Sequence, residues 1–145
     1  MTVLISHRGN TSGINKELEN SPKYIESAIH NGYEVEVDIW MKDNEFFLGH
    51  DSPKYKIDNA WMISNKNKLW FHCKNLDILN YFSEQKEDYK FFWHQQDDYT
   101  LTSNGYIWTY PEKRVTKKSI IVSLGKEIVE HEVFGICSDF VDFLK

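Results

Sequence analysis

The chain has 145 residues, of which 41% are hydrophobic and 15% aromatic, and its net charge is -5. This size and hydrophobic share indicate one soluble globular domain over residues 1–145, and the negative charge argues against binding along a nucleic-acid backbone. No stretch approaches ~20 apolar residues and no signal-peptide pattern follows Met1, so we expect a cytoplasmic protein without stable membrane insertion.

Short apolar runs alternate along the chain with helical or turn-rich segments. A helix is predicted with Ser21 as its N-cap, Pro22 in its first turn and Gly32 as its stop. A hairpin turn is predicted at Asp43 and Asn44. A second helix is predicted from the spacing of Ile78, Leu79 and Phe82. Seven strands are predicted, at 2–7, 33–41, 69–74, 90–95, 105–110, 119–125 and 134–139.

The alternation of strand, helix and strand favours a parallel sheet with crossover connections. A (β/α)8 barrel normally needs ~250 residues, so length alone favours an open doubly wound sheet instead. The segments between the later strands have room for helices of only one or two turns. Cys73 and Cys137 lie in separate apolar strands and are interpreted as reduced, buried thiols.

The strand "YEVEVDIWM" carries three acids on one face, because side chains alternate along a strand. Glu34, Glu36 and Asp38 share that face, and burying such carboxylates unpaired is costly. A cation among them would remove the cost. The alternative is a solvated face paired with Lys54 or Lys56. Glu34 either pairs with a basic residue deeper in the fold or lies where the strand has not yet entered the core.

Polar side chains recur at the carboxyl ends of the predicted strands, the edge where parallel α/β folds bind ligands. If the second and third strands are neighbours, His72 and Lys74 converge with Glu36 and Asp38. Carboxylate oxygens suit Mg²⁺, Ca²⁺ or Mn²⁺, and Lys74 with Arg8 could hold a phosphate. Each residue also has a structural interpretation, such as a core hydrogen bond for His72 or a solvated charge for Lys74.

Three motifs in chain order, "HRG" at 7–9, "ExD" at 36–38 and "HD" at 50–51, resemble the glycerophosphodiester phosphodiesterase family, within the phosphatidylinositol-phospholipase-C-like superfamily. The final "GICSDF" also looks like that family's last strand. The resemblance implies a compact (β/α)8 TIM-type barrel with shortened or missing helices. It further implies a phosphodiester hydrolase in which Glu36 and Asp38 bind a divalent metal while His7 and His50 act as general acid and base.

The chain departs from this family's pattern at the third strand, where Glu-x-Lys is replaced by His72-Cys73-Lys74. Imidazole binds Mn²⁺, Zn²⁺ or Fe²⁺ well and suits Ca²⁺ or Mg²⁺ poorly, so His72 is either a metal ligand or a substrate contact. The short chain indicates a shallow pocket for a small headgroup or a relaxed specificity. His94 and Asp139 are further pocket candidates.

Two other functions remain open from the sequence. One is a phospholipase-D-like lyase, similar to sphingomyelinase D, that forms a cyclic phosphate. The other is a non-catalytic module that binds phosphate or sugar. Four tryptophans are expected to cover exposed outer strand faces, within the chain or in a homodimer: Trp40, Trp61, Trp70 and Trp108. His30 and His131 are interpreted as surface residues.

Overall fold

The computed structural model describes residues 1–126 and 132–145, which form one mixed sheet and three short helices. The strands are β1 (Val3–His7), β2 (Glu34–Lys42), β3 (Glu45–Leu48), β4 (Tyr55–Ile57), β5 (Leu69–Cys73), β6 (Lys90–Trp93), β7 (Tyr99–Leu101), β8 (Ile107–Thr109), β9 (Ser119–Ser123) and β10 (Gly135–Ser138). The helices are α1 (Pro22–His30), α2 (Asn59–Asn65) and α3 (Leu76–Glu84). Single 3₁₀ turns lie at Lys66–Lys68 and Val141–Phe143. His131 is outside the described residues.

Seven strands run parallel in the spatial order β6-β5-β2-β1-β10-β9-β8. The strands β3 and β4 extend antiparallel from the end of β2, and β7 pairs antiparallel with β8. The sheet curls into a half-barrel, and no ladder joins β6 to β8 within the described residues. The expected (β/α)8 barrel is therefore wrong: the chain is too short for eight strand–helix units, and the described part has only three helices.

Local sequence explains the first helix and the hairpin. The helix α1 begins at Pro22 after an extended Ser21, and Gly32 follows its end with a φ of 97°. Asp43 and Asn44 both have left-handed backbone, with φ of 53° and 62°, as a two-residue turn between twisted strands requires. These features confirm the sequence predictions. The strands β4 and β7 and the helix α2 were not predicted.

The two faces of the curled sheet carry different cores. On the outer face, the fully buried side chains of Val35, Val37 and Ile39 pack against apolar residues of the three helices. The inner face holds a second cluster that includes Ile5, Phe92, Ile120 and Cys137, together with Trp70 and Trp108. These two tryptophans fill the inside of the curl, so the expectation that they cover outer strand faces is wrong.

Glu34 lies at the deeper end of the inner face. Lys90 Nζ is 2.6 Å from its Oε1, and Trp70 Nε1 donates a hydrogen bond of 2.9 Å to the same oxygen. Glu34 thus pairs with a basic residue deeper in the fold, one of the two alternatives left by the sequence. Of the three acids on this strand face, only Glu36 and Asp38 remain for a site.

Candidate functional site

Glu36, Asp38 and His72 converge on the inner face of the sheet. The strands β2 and β5 are parallel neighbours, and their register places Asp38 opposite His72. One ligand atom from each of the three side chains lies within 4.8 Å of the others. His72 Nδ1 is 3.0 Å from Asp38 Oδ1 and 3.8 Å from Glu36 Oε2. The suggested pairing of Glu36 and Asp38 with Lys54 or Lys56 is wrong. Among the described residues the ion-pair contacts of these acids are with Arg8, His50 and His72, and Lys56 pairs with Glu45.

The two oxygens of Asp38 have different surroundings. Asn20 Nδ2 donates a hydrogen bond of 2.9 Å to Oδ2, and Arg8 Nε lies 3.0 Å from the same atom. Asp38 Oδ1 is buried, and its 3.0 Å contact with His72 Nδ1 is a hydrogen bond only when that nitrogen carries a proton. Burial alone would raise the pKa of Asp38, but His50, His72 and the charge of Arg8 hold it well below its usual range. One oxygen is thus anchored while the other faces the cluster.

The tautomer of His72 follows from its second nitrogen. Nε2 lies 2.9 Å from the carbonyl oxygen of His94, which only accepts hydrogen bonds, so Nε2 carries a proton. Neutral His72 therefore turns the lone pair of Nδ1 toward the two carboxylates. This arrangement suits either a protonated ring or a cation held between nitrogen and oxygens.

Glu36 is buried and its Oε1 has no hydrogen-bond partner within the described part of the chain. Burial and the neighbouring charge of Asp38 raise the pKa of this carboxyl group. An unpartnered buried oxygen next to a second carboxylate is the condition that a bound cation relieves. Two carboxylates and one imidazole nitrogen therefore fit a divalent metal such as Mn²⁺.

His7 is oriented by the last strand of the chain. Its Nδ1 lies 2.8 Å from Asp139 Oδ1, and Asn10 Nδ2 donates to that oxygen at 2.8 Å. Burial would lower the pKa of His7, but the bond to Asp139 and the charge of Glu36 outweigh burial and raise it. Because Asp139 occupies Nδ1, His7 keeps Nε2 for another partner.

His50 reaches the same place from the loop after β3. The carbonyl of Gly49 accepts a hydrogen bond of 2.7 Å from Trp40 Nε1, and a Cβ at Gly49 would lie 2.0 Å from the carbonyl oxygen of Ser52. Only glycine fits this tight loop. The His50 ring is 42% exposed, and its Nδ1 lies 3.6 Å from Asp38 Oδ2.

A cavity of about 350 Å³ opens above the cluster and is lined by most of the residues predicted from the sequence. The predicted residues among its lining are His7, Arg8, Glu36, His50, His72, Lys74 and His94. Lys74 has no carboxylate within ion-pair distance in the described ranges. His94 Nδ1 lies 2.8 Å from Asp97 Oδ1, so a structural pair accounts for this ring.

Three polar residues of the site were not predicted: Asn10, Glu19 and Asn20. Asn10 donates to both Asp139 and Glu19, at 2.8 and 2.9 Å. Arg8 and Asn20 have left-handed backbone, with φ of 60° and 64°. The turn-forming "RGN" and "ENSP" segments carry the signal that could have located these residues, since asparagine tolerates this conformation.

Both cysteines are free and buried. Cys137 lines the cavity, but burial and nearby carboxylates raise its pKa well above the ordinary thiol value, which argues against a thiolate nucleophile.

No helix in the described ranges is long and apolar enough to cross a membrane. No family model, curated protein or solved structure matches the chain.

Proposed function

We propose that this chain is a metal-dependent phosphodiester hydrolase that acts on glycerophosphodiester-like substrates. The observation that carries the proposal is the cluster of Glu36, Asp38 and His72, whose ligand atoms lie within 4.8 Å of one another under an open cavity. His7, His50 and Arg8 surround this cluster. Such a set combines a cation site, two proton-transfer groups and a phosphate-binding cation.

Glu36, Asp38 and His72 would hold the divalent ion. When bound, the ion supplies Lewis acidity that polarises a phosphoryl oxygen and stabilises an adjacent alkoxide. Asn20 and Arg8 keep Asp38 Oδ2 in place, which leaves Oδ1 directed toward the ion site. The nitrogen donor from His72 favours Mn²⁺ over Mg²⁺ and Ca²⁺.

His7 and His50 divide the proton transfers. The ring of His7 is fixed through Nδ1 by Asp139, so its Nε2 can exchange a proton with the substrate. The half-exposed His50 lies at the edge of the same cavity and can serve the other oxygen of the diester. Histidine is the side chain that most often transfers protons in enzymes.

Arg8 and Lys74 hold the phosphate oxygens. Burial would lower the pKa of Arg8, but the charges of Asp38, Glu36 and Glu19 outweigh it and keep the guanidinium charged. Lys74 projects into the cavity without a carboxylate partner among the described residues. A phosphodiester would supply the missing anionic partner.

The experiment measures hydrolysis of a glycerophosphodiester after removal of metals with EDTA and addition of Mn²⁺, Mg²⁺ or Ca²⁺. We expect turnover with Mn²⁺ and its loss in His7→Ala and Glu36→Gln. His30→Ala is the matched control, because His30 is exposed at the end of α1 and should retain full activity. Full activity in His7→Ala or Glu36→Gln would overturn the assignment.

Product analysis separates this reaction from the alternatives. Free glycerol phosphate supports hydrolysis, whereas a cyclic phosphate as the final product would identify a lyase. Binding of a diester without turnover under any metal would identify a non-catalytic module.

A cytoplasmic location, consistent with two free cysteines, is part of the same proposal.

A further inference from the structure

Two cavities meet at the proposed site and differ in character. Arg8 and His50 line both of them, so these two side chains form the boundary. One cavity, of about 540 Å³, is lined by polar residues, with Arg8, Lys16 and Lys54 outnumbering the acids Glu19 and Asp51; we term it the basic cavity. The other is the cavity of about 350 Å³ above the metal cluster, which we term the aromatic cavity.

The aromatic cavity has a polar side and an apolar side. Its polar side is the candidate site. Its apolar side is formed by uncharged residues of the neighbouring strands β8 and β9 and of the segments that follow them: Trp108, Tyr110, Pro111, Val122 and Leu124. We term these five residues the apolar wall. Tyr110 and Leu124 are 53% and 70% exposed, so the wall offers apolar surface that a ligand could cover.

An aromatic stack connects the wall with the metal cluster. The ring of His72 stacks on Phe92 at 5.2 Å, and Phe92 stacks on Trp108 at 4.4 Å. Trp108 is nearly buried and is therefore held firmly in this stack. The distance from the metal cluster to Trp108, one member of the apolar wall, is thus set by packed rings.

We infer that the aromatic cavity takes an apolar alcohol group of the phosphodiester, an aromatic or alkyl group, while the basic cavity faces the polar remainder. This inference rests on the proposed function and names its substrate class. Burying apolar surface against the wall contributes affinity without any hydrogen bond. A cavity of about 150 Å³ is large enough for benzene, so 350 Å³ has room for a ring beside a phosphoryl group.

A cationic alcohol group such as choline is a poorer match for the aromatic cavity. Aromatic side chains can bind quaternary ammonium groups, but Arg8 and Lys74 line the same cavity, and a divalent metal would offset the charges of Glu36 and Asp38. A highly polar group would lose its hydration against the apolar wall without finding hydrogen-bond partners. Both arguments favour a neutral apolar group.

The test compares binding of phenylphosphonate, methylphosphonate and phosphocholine to the Mn²⁺-loaded protein by calorimetry, which needs no turnover. We expect phenylphosphonate to bind at least about tenfold tighter than methylphosphonate and tighter than phosphocholine. The variants Leu124→Ser and Tyr110→Ser should reduce the ratio of the phenylphosphonate and methylphosphonate affinities. Leu76→Ser is the matched control, since Leu76 is 73% exposed and lines neither cavity.

The outcomes separate the inference from the proposed function. Equal binding of both phosphonates, a ratio unchanged in Leu124→Ser and Tyr110→Ser, or tighter binding of phosphocholine would overturn the apolar group and leave the phosphodiesterase proposal standing. Absence of binding by all three compounds would overturn both.

Discussion

His7 Nδ1 lies 2.8 Å from Asp139 Oδ1, although 132 residues separate them in the chain. The contact arises because β1 and β10 are parallel neighbours, with Ser6 opposite Ser138 in the register. The chain's first and last strands therefore jointly orient the proposed proton-transfer ring. Asn10 adds a second donor to the same Asp139 oxygen and fixes the carboxylate in turn.

Replacing Asp139 with asparagine should lower both the pKa of His7 and the hydrolytic rate. The amide removes the negative partner that raises the pKa of His7 and no longer fixes the ring tautomer. We expect a loss of kcat of about tenfold to a hundredfold. The pKa of His7 is measured by NMR titration of its ring protons, and kcat in the glycerophosphodiester assay.

Asp97→Asn is the control for that substitution. Asp97 Oδ1 lies 2.8 Å from His94 Nδ1, so the substitution Asp97→Asn removes an aspartate–histidine pair of the same length as the pair of Asp139 with His7. His7 should titrate as in the wild type when Asp97 is replaced. An unchanged pKa of His7 in Asp139→Asn would refute the proposed orientation.

The same pair should give the folding stability a defined pH dependence. His7 has a raised pKa in the folded protein, so its contribution is complete below about pH 6.5 and is lost as the pH rises through the folded value. The pKa of Asp139 is lowered despite burial, chiefly by His7, so its contribution is complete above about pH 4 and is lost as the pH falls through the folded value.

The free energy of unfolding of the wild type should therefore exceed that of Asp139→Asn most strongly between about pH 4 and 6.5. We expect a difference of about 2 kcal/mol there, as for a hydrogen bond between charged groups. Urea unfolding with EDTA at acidic, intermediate and alkaline pH measures it. A difference that stays constant with pH would contradict the paired, charged state of His7 and Asp139.

Glu34 and Glu36 give opposite predictions although they share one strand face. Glu36→Gln should raise the free energy of unfolding of the metal-free protein by about 1 kcal/mol, because it removes a buried charge whose oxygen lacks a partner. Glu34→Gln should lower it by about 1 kcal/mol, because Lys90 loses the carboxylate that neutralises it.

Metal addition distinguishes these two variants further. Mn²⁺ should raise the Tm of the wild type and of Glu34→Gln, since a ligand that binds only the folded state stabilises it. The shift should vanish in Glu36→Gln. Thermal unfolding with EDTA and with Mn²⁺ measures both effects, and an equal Mn²⁺ shift in the two variants would exclude Glu36 as a ligand.

The convergence of Glu36, Asp38 and His72 could be predicted from the sequence because it depends on local rules. Alternation along β2 places both acids on one face, and the parallel pairing of β2 with β5, the next strand of the parallel set, brings His72 beside them. The hairpin that delivers His50 was equally readable from its turn residues, Asp43 and Asn44.

The closure of the sheet and the partners of the site could not be predicted in this way. Whether β6 pairs with β8 depends on packing across the whole curl, and no local pattern encodes it. The bond from His7 to Asp139 depends on the pairing of β1 with β10. Alternation along β5 and β8 does not tell which face of the curled sheet becomes its inside. The side on which Trp70 and Trp108 pack is therefore seen only in the structure, where both lie in the inner cluster.

Asn20 should contribute to both folding stability and metal binding. Its Nδ2 donates to Asp38 Oδ2 at 2.9 Å and its Oδ1 accepts from the backbone N–H of Asp38 at 3.0 Å. Its φ of 64° is in the left-handed region. Asn20→Ala loses both hydrogen bonds and adds backbone strain, so the free energy of unfolding should fall by about 3 kcal/mol.

Asn20→Gly separates the two contributions, because glycine adopts this φ freely but cannot hold Asp38. The free energy of unfolding should be about 1 kcal/mol higher for Asn20→Gly than for Asn20→Ala. Both variants should lose Mn²⁺ affinity to the same extent. Urea unfolding and Mn²⁺ titration of the two proteins measure these effects. Wild-type Mn²⁺ affinity in Asn20→Gly would show that Asp38 keeps its orientation without Asn20, and that Arg8, 3.0 Å from the same oxygen, suffices to hold it.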